Sequence, residues 1–306
     1  MTHHNSIPRR SFLAAASAFG ALSWLGVTHS ATHGVTQKRF RRGLQLYTVR
    51  DPMAKDAERT LLRIARLGYE DLETYGFDQD RIAYYGFGAR RFKQILDARG
   101  LTSTSGHYDL FRYLNQPLPA LQSYVSKCIE GALELEQRYI TWPWLDPESR
   151  TLDHFKTLAE RLNVIGEQIR KAGLALAYHN HDFEFIDHDG DTGYDILIRE
   201  TDPTLVKIQL DLFWSTHSSK RSARELFEQQ PGRFVMWHIK DMNSRDKNRY
   251  TELGNGRIDF TKIMPDAALA GLQYYFVEQG DHFAVDPMQS IATSMEYVKN
   301  TLESEG

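Results

Sequence analysis

The feature that most constrains this chain is a short apolar or β-branched run that returns eight times. The runs are "LQLYTV" from Leu44, "DLETYG" from Asp71, "TSTSGHY" from Thr102, "RYITWP" from Arg138, "LALAYH" from Leu174, "VKIQLD" from Val206, "FVMWHIKD" from Phe234 and "YYFVEQ" from Tyr274. They recur at roughly 30–40 residues, the length of one βα unit. Amphipathic stretches lie between them; in the clearest, Leu152, Phe155, Leu158, Leu162, Ile165 and Ile169 recur at helical spacing with charges on the other face. In "LGYE", "RGLT" and "AGLA" a glycine just ahead of the next run can end a helix in the left-handed conformation. Eight alternating units predict a closed parallel (β/α)8 TIM barrel. An open doubly wound sheet is disfavoured, because no glycine-rich phosphate loop follows the first run.

The first 31 residues are set apart from that pattern. Arg9 and Arg10 stand directly before "SFL", an apolar stretch follows to about Val27, and small residues stand at Ser30 and Ala31. This segment resembles a twin-arginine export signal and is too rich in Ala, Gly and Ser for a membrane span. Residues 1–31 are therefore expected to be a cleaved leader, giving a periplasmic or otherwise exported protein with no stable membrane span. Residues 32–306 are read as one barrel domain; about 275 residues is a usual size for that fold. Losing two arginines and no acids takes the formal charge from −3 to −5. That balance offers no nucleic-acid footprint. The single cysteine, Cys128, cannot form an internal disulfide and falls in an apolar helical pattern, which predicts a packed core thiol.

A barrel places the C-terminal ends of its strands around one mouth, where catalytic groups sit. Here those ends are unusually polar: Glu73 on the second, His107 on the third, His179 and His181 on the fifth, Asp211 on the sixth, His238 and Lys240 on the seventh, Glu278 on the eighth. One polar strand end is ordinarily a loop-facing or capping group. So many acids and imidazoles facing one mouth are costly unless a cation organises them.

In order and spacing, "YHNHDFEF", "QLDLFW", "HIKDM", "LGNGRIDF" and "YYFVEQGD" resemble the sugar phosphate isomerase/epimerase family of xylose-isomerase-like barrels. The resemblance spans essentially the whole chain after the leader. It implies one divalent metal, Mn, Co, Zn or Mg, with Asp211, His238 and Glu278 matching the ligands of strands six, seven and eight. Many relatives place a glutamate at the end of strand five. Here His179 holds the equivalent position, and Glu184 competes if "DFEF" curls back over the mouth. Strand alternation points His179 and His181 the same way, so one can bind metal while the other touches substrate or supports the ligands.

Such a metal, gripping adjacent oxygens of a hydroxy-ketone, acidifies the neighbouring C–H by stabilising an enediolate. A base must then lift the proton and an acid return it. Glu278, with His179, His181 or Glu184 opposite, is the candidate set, and Lys240 can steady the enolate oxygen or a hydroxyl. Related epimerases use two glutamates, so the histidines here also suit loss of a β-substituent from a 3-keto-glycoside. Tyr47, Trp142, Trp144 and Trp214 offer aromatic faces for a sugar, Phe213 suits the core, and His107 and Glu73 can reach substrate. "GNGRIDF" is expected to be structural. An exported protein without clustered arginines points to a non-phosphorylated sugar or keto-sugar as the small-molecule partner. The expected activity is a metal-dependent isomerase or epimerase. A lyase or hydrolase of 3-keto-glycosides and a non-catalytic carbohydrate-binding barrel are the alternatives. An abasic-site endonuclease, the distant branch of the superfamily, is opposed by the negative charge. Oligomeric state is left open.

Overall fold

The computed structural model describes Met1 and residues 40–304, so the leader expected over residues 1–31 lies outside the described residues. Eight parallel strands form a closed barrel: β1 Arg42–Gln45, β2 Asp71–Thr74, β3 Thr102–His107, β4 Tyr139–Trp142, β5 Ala175–His179, β6 Val206–Asp211, β7 Met236–Ile239 and β8 Tyr274–Val277. Each pairs with its sequence neighbours, and β8 closes on β1 through the register Gly43↔Phe276. A side chain at Gly43 would put its Cβ 2.1 Å from the Tyr275 carbonyl oxygen, so this closure requires glycine.

All eight predicted strands are present, and their ends are trimmed. The main departure is in "LQLYTV", where Gln45 ends the strand and Leu46–Val49 turn into a 3-10 helix. The Gln45 side chain accepts the Tyr47 N–H and starts that turn, so the chain leaves the barrel early and carries Tyr47 over the mouth.

The principal outer helices are α1 Ala57–Leu67, α2 Ala89–Asp97, α3 Leu118–Glu134, α4 Leu152–Lys171, α5 Gly193–Glu200, α6 Ala223–Gln229, α7 Phe260–Ile263 and α8 Pro287–Tyr297. The α4 helix shows why they form. Thr151 caps its first turn by accepting the His154 N–H, Asp153 and Arg170 suit the two ends of its dipole, and Phe155, Leu158, Leu162, Ile165 and Ile169 are buried against the barrel. Each such side chain contributes about 1.5–3 kcal/mol of burial. Gly68, Gly100 and Gly173, the glycines expected at helix ends, all have positive φ. Cys128 is a buried free thiol inside α3. Among the described residues, no helix is long and apolar enough to cross a membrane.

Strand alternation divides the molecule into two layers of packing. Outward residues such as Leu44, Leu72, Ile140, Leu176, Leu210 and Ile239 join the helices in one large apolar cluster. Inside the barrel, Tyr139, Ala177, Met236 and Phe276 form a smaller plug. Above that plug the inward positions turn polar, and there the candidate site begins. A register shift between Leu72 and Glu73 in the β2–β3 pairing lies at its edge, where a bulge re-aims a side chain.

Candidate metal centre

The inward end of β2 supplies Glu73, which is fully buried. Its Oε1 accepts from Gln209 Nε2 at 2.7 Å and its Oε2 from Gln45 Nε2 at 2.7 Å. Oε2 also lies 3.1 Å from His107 Nε2 and 2.5 Å from His238 Nε2. Glu73 was expected to meet a sugar hydroxyl; it instead forms a polar floor under the mouth, with both oxygens engaged by protein groups. His107 does reach the cleft, and its Nε2 is 2.8 Å from Gln209 Oε1.

On that floor, His179, Asp211, His238 and Glu278 converge from β5, β6, β7 and the residue after β8. One ligand atom from each lies within 4.8 Å of all the others, and all four residues are buried. His107, His179 and His238 form a second, overlapping group. Local structure fixes each member of the four. Asp211 ends β6 as the cap of the helix Leu212–Ser218, its Oδ1 accepting the Trp214 N–H at 3.0 Å, which leaves Oδ2 facing inward. His238 places Nε2 against Glu73 and Nδ1 2.9 Å from Glu278 Oε2. A carboxylate behind an imidazole is the usual way a metal-binding histidine is oriented, and it leaves Nδ1 as the inner donor.

Lys240 completes the cluster as an internal cation. Its Nζ lies 2.9 Å from Asp211 Oδ2 and 2.7 Å from Glu278 Oε2, almost fully buried. Against a burial that would raise it, Lys240 and then His238 hold the Glu278 carboxyl well below its ordinary range. Burial would lower His238, yet Glu73 and Glu278 push it up to about 9. His179 moves the other way: burial and then the charge of His238 keep it neutral.

This donor set fits a divalent cation. Two imidazoles and two carboxylates are hard or borderline ligands, and His179 Nε2 faces Asp211 Oδ2 at 3.9 Å, beyond hydrogen-bond distance. Three buried carboxylates (Glu73, Asp211 and Glu278) face two cations, Lys240 and protonated His238. The balance is one positive charge short of neutral, and a dication that displaces the His238 proton restores it.

Glu184 and Trp142, like Glu73, are not where they were expected. Glu184, the competing fifth-strand ligand and candidate base, lies in a 3-10 turn, Phe183–Phe185, that does curl back, but toward the helix layer. Its carboxylate accepts from the Tyr178 hydroxyl at 2.7 Å and the His181 N–H at 2.8 Å, and burial raises it to about 8. Glu184 therefore positions His181 and is absent from the ligand cluster. Trp142, expected to touch substrate, is completely buried in the outer apolar cluster and donates its Nε1–H to the Trp144 carbonyl. Thr141 has the inward place on β4, so alternation sends Trp142 outward.

A cleft of about 520 Å3 opens above the cluster. His107, His179, His181 and Glu278 line its inner side, and Tyr47 and Trp144 reach it from the rim. The His181 ring meets Trp144 edge-on at 4.8 Å, and burial with nearby Lys240 keeps it neutral. Trp214 stands behind His181 at 5.8 Å, with Lys240 Nζ 5.8 Å over its ring, and does not line the cleft. Phe213 is core, as expected. In the "GNGRIDF" loop the N–H groups of Gly254, Gly256 and Ile258 all donate to the Asp241 carboxylate, the structural role expected of it. Gln45, Gln209, Tyr75 and Phe111 were not anticipated at the site. Gln209 precedes Asp211 by two and so shares its inward face, a signal that was available.

Inosose dehydratase of Clostridium perfringens is 26% identical over 166 residues, 48% of this chain and 54% of that protein. The chain thus aligns with only about half the length of that relative. A crystal structure of a sugar phosphate isomerase/epimerase from Parabacteroides distasonis superposes with a TM-score of 0.75 and 26% identity, covering 87% of this chain and 96% of the other. The structure of an IolI protein with a bound zinc atom shares the fold at a TM-score of 0.67 and 14% identity, covering 86% and 98%. The model of the xylose isomerase-like TIM barrel family matches residues 61–301, and the chain belongs to that family.

Proposed function

We propose that this protein is a metal-dependent enzyme that removes a proton from a carbon beside a carbonyl in a non-phosphorylated sugar or keto-sugar. The observation that carries this reading is the convergence of His179, Asp211, His238 and Glu278 at the C-terminal mouth of the barrel. A divalent ion held there would act as a Lewis acid on a substrate carbonyl. The zinc of the IolI protein is in keeping with such a site.

The chain's own residues divide the remaining work. His181 lines the cleft as a neutral imidazole, with the Glu184 carboxylate fixing its backbone, and is placed to accept the proton. Lys240 orients Asp211 and Glu278 and keeps Glu278 ionised. Among the described residues, no lysine or arginine lines the cleft, which disfavours a phosphorylated substrate. An exported location, which the resemblance of residues 1–31 to a twin-arginine signal suggests, would favour the same choice.

Returning the proton to carbon completes an isomerisation or epimerisation. Expelling a β-substituent completes an elimination, such as cleavage of a 3-keto-glycoside, and one observation favours this second course. Glu184 faces the helix layer, so it does not supply a second glutamate to return a proton from the opposite side. Inosose dehydratase is a relative whose name describes such a loss. The test is incubation of the metal-loaded protein with sugars and 3-keto-glycosides in deuterated water, followed by NMR. Deuterium entering beside a carbonyl, or release of the β-substituent, is expected. Binding with neither exchange nor cleavage for any compound would leave a carbohydrate-binding barrel instead.

A further inference from the structure

Beside the histidines and Glu278, much of the cleft's lining is an aromatic wall: Tyr47, Tyr75, Phe111 and Trp144, with Pro143. Tyr47 is 43% exposed, so its ring stands in the opening. Tyr75 is braced from both sides, meeting Tyr47 edge-on at 5.3 Å and Tyr85 at 5.5 Å, and its N–H donates to the Tyr85 hydroxyl at 3.0 Å. Trp144 carries the Arg150 guanidinium 4.5 Å over its ring and meets Phe183 edge-on at 5.4 Å. These rings are held in place before any ligand arrives.

A separate piece of chain braces one ring of this wall, Tyr75. Between β2 and α2, segments Phe77–Asp78, Ala83–Tyr84 and Phe87–Gly88 form a small antiparallel sheet. Its turns place Ile82 at φ 46° and Tyr85 at φ 51°, a costly region for a β-branched or bulky side chain. Strain of this kind persists where surrounding structure enforces it, and here it sets the ring that braces Tyr75.

The wall's polar side-chain groups are few: the Tyr47 and Tyr75 hydroxyls at ring ends, and one carboxylate, Asp109, which already accepts from Arg112 Nε at 2.9 Å. The cleft's 520 Å3 corresponds to about 17 waters at ~30 Å3 each, more than a single pyranose needs. We propose that this wall is a subsite for a planar aromatic ring attached to the substrate's sugar, so that the substrate class is an aryl glycoside or its keto form. This rests on the reading of the inner side as the sugar site, and binding tests it apart from turnover.

The experiment pairs methyl with 4-nitrophenyl glycosides of glucose, galactose and mannose, and adds cellobiose. Each is titrated into the metal-loaded full chain by calorimetry, with Trp144→Leu and Tyr75→Leu as variants that keep apolar bulk. At least one aryl member should bind tenfold or more tightly than its methyl partner. Both variants should lose most of that gain while their metal affinity stays at the wild-type value, which certifies the fold. Equal affinity within every pair, no aryl binding at millimolar concentration, a larger gain for cellobiose, or a gain that survives both substitutions would each overturn the proposal. Proton exchange is read separately, so tight aryl binding without exchange contradicts the proposed reaction and leaves the subsite standing.

Discussion

Replacing Lys240 by Met removes one positive charge from between Asp211 and Glu278 and keeps most of the side chain's bulk. Both carboxylates are buried, so they cannot recover the loss from water. Breaking a buried ion pair from one side costs about 3–5 kcal/mol. For a chain of this size a destabilisation of that order lowers Tm by roughly 6 °C or more. The loss is expected in the metal-free protein, measured by thermal unfolding in chelator. A divalent metal should then restore much of it, because it supplies the missing charge and no longer shares two ligand oxygens with an ammonium. At 100 times Kd a ligand contributes about 2.7 kcal/mol, and the variant, binding more tightly, should gain more than wild type at equal metal concentration. If the metal-free variant melts with wild type, or metal raises both by the same amount, Lys240 is not the internal counter-ion and the charge balance drawn for the site is wrong.

Other predictions concern groups around the ligands. Glu73→Gln, which removes the carboxylate behind His238, should weaken metal binding about 10–100-fold by calorimetry without removing any of the four donors. Metal uptake near pH 7.5 should release about one proton, because His238 is raised to about 9 and must be neutral to bind; calorimetry in buffers of different ionisation enthalpy measures this. In the metal-free protein the stability from His238 is complete below the ordinary value of 6.5 and is lost as pH rises through about 9, so urea midpoints should fall across that window. Trp142→Ala should cost about 3–5 kcal/mol in denaturant titrations through the cavity it leaves, with metal affinity unchanged.

The barrel was legible because its signal repeats: eight apolar runs at βα spacing leave few other topologies, and alternation fixes which side chains face inward. The cluster of His179, Asp211, His238 and Glu278 was visible as a set of polar strand ends for the same reason. Trp142 was misplaced by reading its chemistry ahead of its parity; Thr141 takes the inward position. Glu184 turned on a short 3-10 segment whose direction depends on the Tyr178 hydroxyl, a tertiary partner on the outward face of β5. Glu73 looked like a substrate contact because its pairing with Gln45, Gln209 and His238 brings together strands up to 165 residues apart. The aromatic wall was least legible. Its key ring, Tyr75, belongs to an excursion between β2 and α2 that breaks the periodic pattern.

The measurement that bears most directly on the account is a metal titration of the chelator-treated protein by calorimetry, with stoichiometry checked by elemental analysis. One divalent ion per chain is expected, with binding lost in both His179→Ala and Asp211→Asn while their far-ultraviolet circular dichroism stays that of the wild type. Absence of binding to any of Mn, Co, Zn and Mg, or binding that survives both substitutions, would contradict a metal centre at the mouth of this barrel.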